Sequence, residues 1–496
     1  MSCGWLLAFA GAWAAVNLAS RLRRLPYGLE LLSPLHLRLS TTALNNAIAK
    51  LGGQVPLFDG FYSVGTVVSM CSMVLGIVVL LAAAVQIAAR LGLIPTTNTA
   101  QTALPLVLRP VIPGITLPTA HLVHYVVALL LCAGVHELGH AIAAARANVH
   151  MRRAGVFLAA IWPGAFVELS RRQLDRAALG ARLRIVCAGV WHNAITAVVA
   201  WLLVHGGLSI MLWPGWVSAK GAMVVSVLPD SPLSGRLPLC SIVLEIDDIK
   251  LNTVDRLGTT PLARWTTVLT ATTSSRDTHT AGFCAAGNLD DGLCCEMSPL
   301  FPLGESPDTR LFCFDGFNVS DTSRCFDLND VFEHPRCQSD ADCTEGLCVL
   351  PSSPFSAGRV LRILHRAPDS SEPKTLVYAG SPTELWSHVQ VSALRPRWSW
   401  LPIALPAQLE ALLQYVFAFS VAFCVLNSLP AYHLDGFHML RLSVACLESC
   451  STGESDSIAL STPRGIWACR FCNIASLLVT ILLVGCVAGS IMLLIL

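Results

Sequence analysis

The chain has 496 residues, of which 54% are hydrophobic and only 13% are charged. Soluble domains carry roughly 25% charged residues, so this composition excludes an ordinary soluble protein and is typical of a membrane protein. The formal net charge of +1 argues against nucleic acid as a partner, because nucleic-acid-binding proteins concentrate positive charge. We therefore expect the lipid bilayer to be the main surroundings of this chain.

Apolar runs predict about six membrane-spanning helices, most of them close to the length that the hydrocarbon core requires. They lie at residues 5–19, 67–89, 119–145, 185–204, 404–426 and 472–496. The first two belong to an N-terminal membrane region, residues 1–118, in which the polar stretch 22–65 is predicted as a loop with an amphipathic part at 29–39. The last span follows a cytosolic loop within residues 441–496, and 437–470 is predicted as a polar tail.

The third span carries a polar pentapeptide, His136-Glu137-Leu138-Gly139-His140, inside an uncharged apolar helix. Residues i and i+4 share a helix face, so His136 and His140 can both reach one metal ion. Glu137 lies beside them, where a carboxylate can act as a general base on water. The alternative is a chance match, with buried histidines hydrogen-bonded in a helix bundle, but polar groups at membrane depth are costly and usually functional. The sequence thus predicts a catalytic membrane core at 119–205.

The segment after this span is first apolar and then basic. Residues 155–169 are too short to cross a membrane and are broken at Pro163-Gly164, which predicts a re-entrant hairpin beside the site. Residues 146–184 contain eight arginines, and positive residues favour the cytosolic side. The loops after the first, third and fifth spans are therefore predicted to be cytosolic.

A polar and β-rich insert is predicted at residues 206–400. Its start, 221–255, alternates apolar and polar residues and resembles the opening of a PDZ domain, and 359–391 would supply the closing strands and helix. Between them lies a cysteine-rich insertion at about 284–348, whose even number of cysteines favours disulfides over a second zinc site. Asn318 begins a glycosylation sequon. The cysteines, the sequon and the arginines together predict a lumenal insert. The eight cysteines are Cys284, Cys294, Cys295, Cys313, Cys325, Cys337, Cys343 and Cys348.

The second part of the predicted catalytic core is 401–440, where the fifth span runs into a Leu-Asp-Gly sequence. Asp435, predicted at the end of the apolar helix, is a candidate third ligand, because a catalytic zinc needs three protein ligands. Pro430 interrupts helical hydrogen bonding and suits a chain that bends around a metal. The alternative is a helix-end aspartate that faces cytosolic water. His433 and His438 are further candidates, for which solvated loop histidines are the simpler interpretation.

The HELGH pentapeptide, the downstream Leu-Asp-Gly, the apolar FLAAIWPGAFVEL segment and the PDZ-like insert together resemble the site-2 protease family of intramembrane zinc metalloproteases. The resemblance covers 119–205 and 404–440 strongly and the insert loosely. The fold that it implies is a polytopic α-helical membrane protein with a β-rich, PDZ-like lumenal domain. It also implies that Glu137 is the catalytic base and that His136, His140 and Asp435 are the three Zn²⁺ ligands.

The resemblance implies a role for two asparagines in holding substrate or the tetrahedral intermediate. They are Asn193 in the fourth span and Asn427 in the fifth, and for each the alternative is a hydrogen bond between helices. One residue departs from the family pattern: relatives more often have an apolar side chain at the position of His433, which could add a competing imidazole.

The substrates that the resemblance implies are transmembrane helices of membrane-anchored transcription factor precursors. These precursors belong to the sterol-regulatory and unfolded-protein-response pathways, are first cut on the lumenal side, and then release their cytosolic domains. The implied location is the Golgi or the endoplasmic reticulum, with the active site near the cytosolic side. Two other functions stay open: a CAAX-type membrane zinc protease, in which a glutamate is expected as third ligand, and a non-catalytic adaptor that binds through its insert.

Overall fold

The computed structural model describes most of the chain, in two compact units. One unit is Met1–His205 with Ala411–Leu496, and the other is Gly206–Glu410. The described residues are 11–18, 20, 28–54, 58–94, 121–247, 249–251, 261–270, 282–285, 311–316, 323–327, 331, 334–344, 346–351, 359–368, 370–452 and 463–495.

The long helices lie mainly in the first unit, and both units contain helices and antiparallel strands. In chain order they are β1 (Leu29–Ser33), β2 (His36–Thr41), α1 (Asn45–Gln54), α2 (Phe58–Arg90), α3 (Leu122–Arg146), β3 (Met151–Ala159), β4 (Trp162–Leu169), α4 (Arg171–Arg176), α5 (Leu179–Leu202), a π-helical turn (Leu203–Gly207), α6 (Leu208–Leu212), β5 (Trp216–Val227), β6 (Ile242–Ile246), β7 (Ile249–Lys250), α7 (Pro261–Thr270), β8 (Gly282–Ala285), β9 (Leu311–Gly316), β10 (Ser323–Asp327), β11 (Arg336–Cys337), a 3-10 turn (Asp340–Asp342), β12 (Leu347–Pro351), β13 (Arg359–Arg366), β14 (Pro373–Gly380), α8 (Pro382–His388), β15 (Val389–Pro396), α9 (Leu405–Ser428), α10 (Asp435–Thr452) and α11 (Pro463–Ile495).

Five stretches of the described helices are long and apolar enough to cross a membrane. They are Gly60–Arg90, Leu122–Arg146, Leu179–Leu212, Leu405–Ser428 and Trp467–Leu494. The chain is therefore a multi-pass membrane protein with a β-rich part, as its composition predicts. Of the remaining predicted span, 5–19, the structure describes residues 11–18, which are helical, so a total of six spans stays a prediction.

A four-stranded antiparallel sheet, in the order β1-β2-β3-β4, lies in the first unit. The loop predicted at 22–65 is wrong where β1 and β2 form, because His36-Leu-Arg-Leu-Ser-Thr41 alternates apolar and polar residues with the period of a strand. The hairpin predicted at 155–169 is present as β3 and β4, paired from Met151 opposite Leu169 to Ala159 opposite Trp162. Strand β4 is one of the two edge strands of this sheet.

The chain after the fifth span differs from its prediction in two ways. Helix α9 ends at Ser428, and Asp435 begins the next helix, α10, rather than ending the span. The polar tail predicted at 437–470 is also wrong, because α10 continues to Thr452 and α11 starts at Pro463. Pro430 and the turn after it separate two helices, and an aspartate is favourable in the first turn of the second one.

The second unit contains two antiparallel sheets. Strands β14-β13-β6-β5-β15, with β7 beside β6, form the larger sheet, and β10-β9-β12-β8-β11 form the smaller. The larger sheet and helices α7 and α8 enclose an apolar core that includes Trp265, Leu269, Ile363 and Leu385. A PDZ-like fold for this unit stays a prediction.

The smaller sheet contains the cysteine-rich insertion, and two disulfides are formed among the described residues. They join Cys284 to Cys343 and Cys337 to Cys348. Four of the eight cysteines are thus paired in the way that the oxidising environment predicted for the insert would require. Cys294, Cys295 and the sequon residue Asn318 lie outside the described residues.

Candidate metal centre

Three polar side chains from two helices meet at one point in the first unit. His136 and His140 lie one turn apart on α3, and Asp435 is the first residue of α10. Asp435 Oδ2 is 2.9 Å from His136 Nε2 and 3.2 Å from His140 Nε2, and the two Nε2 atoms are 3.2 Å apart. The structure therefore brings together the three residues that the sequence selects as metal ligands.

The hydrogen bonds behind this triad determine which atoms it offers. His140 Nδ1 lies 2.8 Å from the carbonyl oxygen of Ile185, which can only accept, so Nδ1 donates and Nε2 keeps a free lone pair. The buried Oδ2 atom of Asp435 has the two imidazole Nε2 atoms as its polar neighbours. One carboxylate oxygen and two imidazole nitrogens that lie this close together can share one cation as ligands.

Zinc suits this set of donor atoms. Zn–N and Zn–O bonds of about 2.0–2.1 Å in a tetrahedron place neighbouring ligand atoms about 3.3 Å apart, close to the 2.9–3.2 Å separations found here. Burial alone would raise the pKa of the Asp435 carboxyl, but His140 and His136 beside it hold that pKa below its usual range, so the carboxylate is ionised. Three ligands also leave the open position that a catalytic zinc requires.

The turn that precedes α10 fixes the position of Asp435. A Cβ at Gly436 would collide with the carbonyl oxygens of Leu429 and Ser428, so only glycine allows this close approach of the backbone. The Tyr432 N–H donates a 3.0 Å hydrogen bond to Thr480 Oγ1 of α11. The last span thus anchors the turn that carries the candidate carboxylate ligand.

Glycines at the crossing of α3 and α5 bring the two helices close together at the histidines. A Cβ at Gly139 would lie 2.6 Å from the carbonyl oxygen of Ala188, which is closer than real Cβ atoms approach. A Cβ at Gly189 would collide with both imidazoles, approaching His136 Cε1 to 2.6 Å. Gly189 was not among the predicted site residues, although its spacing of four residues from Asn193 places both on one helix face.

Glu137 is held beside the triad by the edge strand. The Val167 N–H of β4 donates a 2.9 Å hydrogen bond to Glu137 Oε2. This bond fixes one carboxylate oxygen and leaves Oε1 available for a proton. Strand β4 is therefore part of the site, which the sequence indicated only as a hairpin beside it.

A cavity of about 290 Å³ adjoins the triad. Its lining contains the predicted metal ligands His136 and Asp435, the predicted base, one asparagine and part of the hairpin. The lining residues are Ala133, His136, Glu137, Phe157, Pro163, Gly164, Ala165, Phe423, Asn427, His433 and Asp435. Polar groups that converge on one cavity are typical of a substrate site.

The two predicted asparagines occupy different places. Asn427, in the last turn of α9, lines the cavity, whereas Asn193 is fully buried behind His136. The Asn193 amide lies 3.1 Å from His136 Nδ1, on the ring edge away from the triad. Of the two further histidine candidates, His433 lines the cavity with a backbone φ of 68°, and His438 is not part of the lining.

Comparisons with known proteins agree with this geometry. The model of the family described as "Peptidase family M50" matches residues 124–462. A membrane-bound transcription factor site-2 protease homolog of Arabidopsis thaliana is 27% identical over 372 residues, which cover 67% of this chain and 72% of the relative. The residues that the family model matches include the candidate ligands on both helices, α3 and α10.

Proposed function

Because this chain belongs to peptidase family M50, a family of metalloproteases, we propose that it is an intramembrane zinc endopeptidase. It hydrolyses peptide bonds within or next to the transmembrane helices of membrane-anchored transcription factor precursors. The observation that carries the proposal is the convergence of His136, His140 and Asp435 beside Glu137, on an apolar helix long enough to span a membrane.

Each residue of the centre has one task in this reaction. A zinc ion bound by the two histidines and Asp435 would supply Lewis acidity, which acidifies water and polarises a carbonyl group. Glu137 takes the proton of the attacking water on Oε1 and returns it to the nitrogen of the leaving amine. The Val167 N–H keeps the carboxylate turned towards the reaction during both transfers.

Strand β4 offers a way to hold a substrate whose helix has unwound. A helix hides its carbonyl groups in hydrogen bonds, so a transmembrane substrate must become extended before attack. The N–H of Val167 points away from β3, and groups two residues apart on a strand point the same way, so Ala165 presents its N–H and C=O on that side. An extended substrate can pair with this edge next to Glu137.

The identity of the substrates rests on the relative and on the predicted topology. The name of the Arabidopsis relative associates it with membrane-bound transcription factors. We extend this to precursors of the sterol-regulatory and unfolded-protein-response type, which release their cytosolic domains after a first lumenal cut. The disulfides Cys284–Cys343 and Cys337–Cys348 support a lumenal insert in the Golgi or endoplasmic reticulum, where it would exclude untrimmed substrates.

The test is cleavage of a lumenally trimmed, membrane-anchored transcription factor in cells that lack the endogenous enzyme. Wild type should release the cytosolic fragment, and Glu137→Gln should lower the rate by about 10²–10⁴-fold, the usual contribution of general acid–base catalysis. Glu372→Gln, which changes an exposed carboxylate of the second unit, is the matched control and should cleave as wild type does. Full cleavage by Glu137→Gln would leave the adaptor function instead.

A further inference from the structure

Helix α5 contacts both histidine ligands with a single stripe of residues. Ile185, Gly189 and Asn193 are spaced by four residues and therefore lie on one helix face. Ile185 contributes a carbonyl oxygen to His140 Nδ1 at 2.8 Å, and Asn193 contributes its side-chain amide to His136 Nδ1 at 3.1 Å. Gly189 lies between them and leaves room for both rings. Each imidazole is thus held at the nitrogen that faces away from the triad.

The burial of Asn193 rules out contact with a peptide in the cavity. Its exposed fraction is 0%, and it contacts the His136 ring, which lines the cavity, without being part of the lining itself. Asn427 is the asparagine that lines the cavity. A role in holding substrate or a reaction intermediate, which the family resemblance implies for both, is therefore compatible with the position of Asn427 and not with that of Asn193.

The direction of the Asn193 hydrogen bond depends on the metal. A neutral imidazole that binds a metal through Nε2 carries its proton on Nδ1, so it can only donate to Asn193. The amide carbonyl must then be the partner, whereas in the structure the amide nitrogen faces the ring. The Asn193 Oδ1 atom has no hydrogen-bond partner among the described residues, so no described bond opposes a half-turn of the amide.

We propose that Asn193 is a positioning residue of the metal centre, whose carbonyl oxygen accepts a hydrogen bond from His136 Nδ1–H when zinc is bound. This bond fixes the tautomer and ring orientation of His136, as the Ile185 carbonyl does for His140. Partners of this kind contribute about 10–100-fold to metal affinity. The proposal rests on the proposed function only through the zinc ion, so that metal binding tests it without any protease assay.

The experiment measures the zinc affinity of the purified full-length protein by competition with a chelator. Asn193→Leu keeps the volume and removes the acceptor, and should weaken zinc binding about 10–100-fold. Asn193→Asp keeps an acceptor oxygen and should bind zinc within about three-fold of wild type, as the carboxylate partners of zinc-bound histidines do. Thr196→Val, on the same helix with its hydroxyl bonded to His192 O, is the control and should leave the affinity unchanged.

Two further measurements separate positioning from packing. The visible absorption of the Co²⁺-loaded protein reports ligand geometry, and should change in Asn193→Leu but not in Asn193→Asp. Asn427→Leu should keep the zinc affinity of wild type and lose peptide hydrolysis, because its side chain faces the cavity.

Three results would overturn the proposal. Wild-type affinity in Asn193→Leu would show that the hydrogen bond contributes nothing, and an equal loss in Asn193→Asp would show that an acceptor oxygen is not what the ring requires. Failure of the wild-type protein to bind zinc would overturn the proposed function together with this inference, whereas the other two results would leave the proposed function standing.

Discussion

The metal centre and the core of the second unit are built from opposite kinds of residue. Around the centre, the buried residues of α3 and α5 are mostly small, such as Ala141, Ala144, Ala188 and Gly189. In the second unit, the core is filled by large side chains, among them Trp265. Both regions are well buried. The helices around the metal centre approach each other closely because their buried side chains are small, whereas the core of the second unit is filled by large side chains.

This difference follows from the surroundings of each region. Lipid is as apolar as a leucine side chain, so helices in a membrane gain little from burying large residues and associate by close backbone approach and hydrogen bonds. A β-rich unit with a core of large apolar side chains is stabilised by removing apolar surface from water. The position of the polar triad therefore depends on small residues that let the helices approach closely, whereas the stability of the second unit depends on the apolar surface area that it buries.

Gly189→Ala should break the metal centre with the largest effect. The added Cβ would collide with both imidazoles and push α5 away from α3. We expect zinc affinity to fall by at least about 100-fold, as for loss of supporting contacts, and peptide hydrolysis to fall to background. Zinc competition and the cleavage assay measure these losses.

Gly180→Ala is the matched control for this change. It lies on the same helix, and a Cβ there would meet no atom within 4 Å. It should bind zinc and cleave substrate as wild type does. Equal behaviour of the two alanine variants would contradict the view that close helix approach holds the histidines.

Trp265→Ala should have the second largest effect and should act on the second unit alone. The side chain is 1% exposed within a core formed wholly by residues of that unit. Removing a buried aromatic of this size costs about 3–5 kcal/mol. Pulse proteolysis of the full-length protein in urea would detect the loss, while zinc affinity should not change. Trp386→Ala, at a 44% exposed position, is the control and should cost much less.

The convergence of the candidate metal ligands could be predicted in part from local spacing. Two histidines four residues apart on a helix must share a face, whatever the rest of the fold does. Asp435 lies 295 positions after His140, and its selection needed the known requirement of zinc for a third ligand. Its place at the start of α10 was missed because a Pro430 turn and a new helix follow the span, and both stretches read as polar.

The groups that support the triad could not be predicted, because most of them are backbone atoms, and one is a glycine that acts by having no side chain. The carbonyl of Ile185 and the N–H of Val167 carry no side-chain signature. Gly189 acts through the space that it leaves. Strands β1 and β2 were missed for another reason: their alternation is short, and β3, the second partner of β2, lies more than one hundred residues away. Long-range pairing of this kind cannot be inferred from a local pattern.

Loss of the Cys337–Cys348 disulfide should have a smaller effect than loss of the tryptophan. The two residues are 11 positions apart, and closing a loop of that length restricts the unfolded chain by about 3 kcal/mol. The double variant Cys337→Ala/Cys348→Ala should therefore lower the stability of the second unit by about that amount in pulse proteolysis. Cys240→Ala, which removes a free cysteine of the same unit, should change it little. Equal stability of the double variant would mean that the sheet holds this loop without the bond.

The smallest effect is expected from the charges that cross the four-stranded sheet behind the centre. Arg153 of β3 bonds Glu168 of β4 at 2.8 Å and Glu30 of β1 at 2.9 Å. The Arg153 hydrogen bond lowers the pKa of Glu168. A carboxyl whose pKa is lower when folded contributes stability above its unfolded pKa of about 4.3, and this contribution is lost as pH falls through the folded value.

In Glu168→Gln, the free energy of unfolding should therefore fall less steeply as pH decreases below about 4.3, the approximate pKa of a free glutamate. Because these groups are partly exposed, the change should be smaller than that of the disulfide variant and should shrink further in 1 M salt, where the Debye length is about 3 Å. Glu168 also neighbours Val167, whose N–H holds Glu137. Unfolding measured between pH 3 and 7 tests the first effect, and the rate of peptide hydrolysis at neutral pH tests the second. A slower reaction with unchanged zinc affinity would show that the sheet orients the Glu137 carboxylate without supporting the metal ligands.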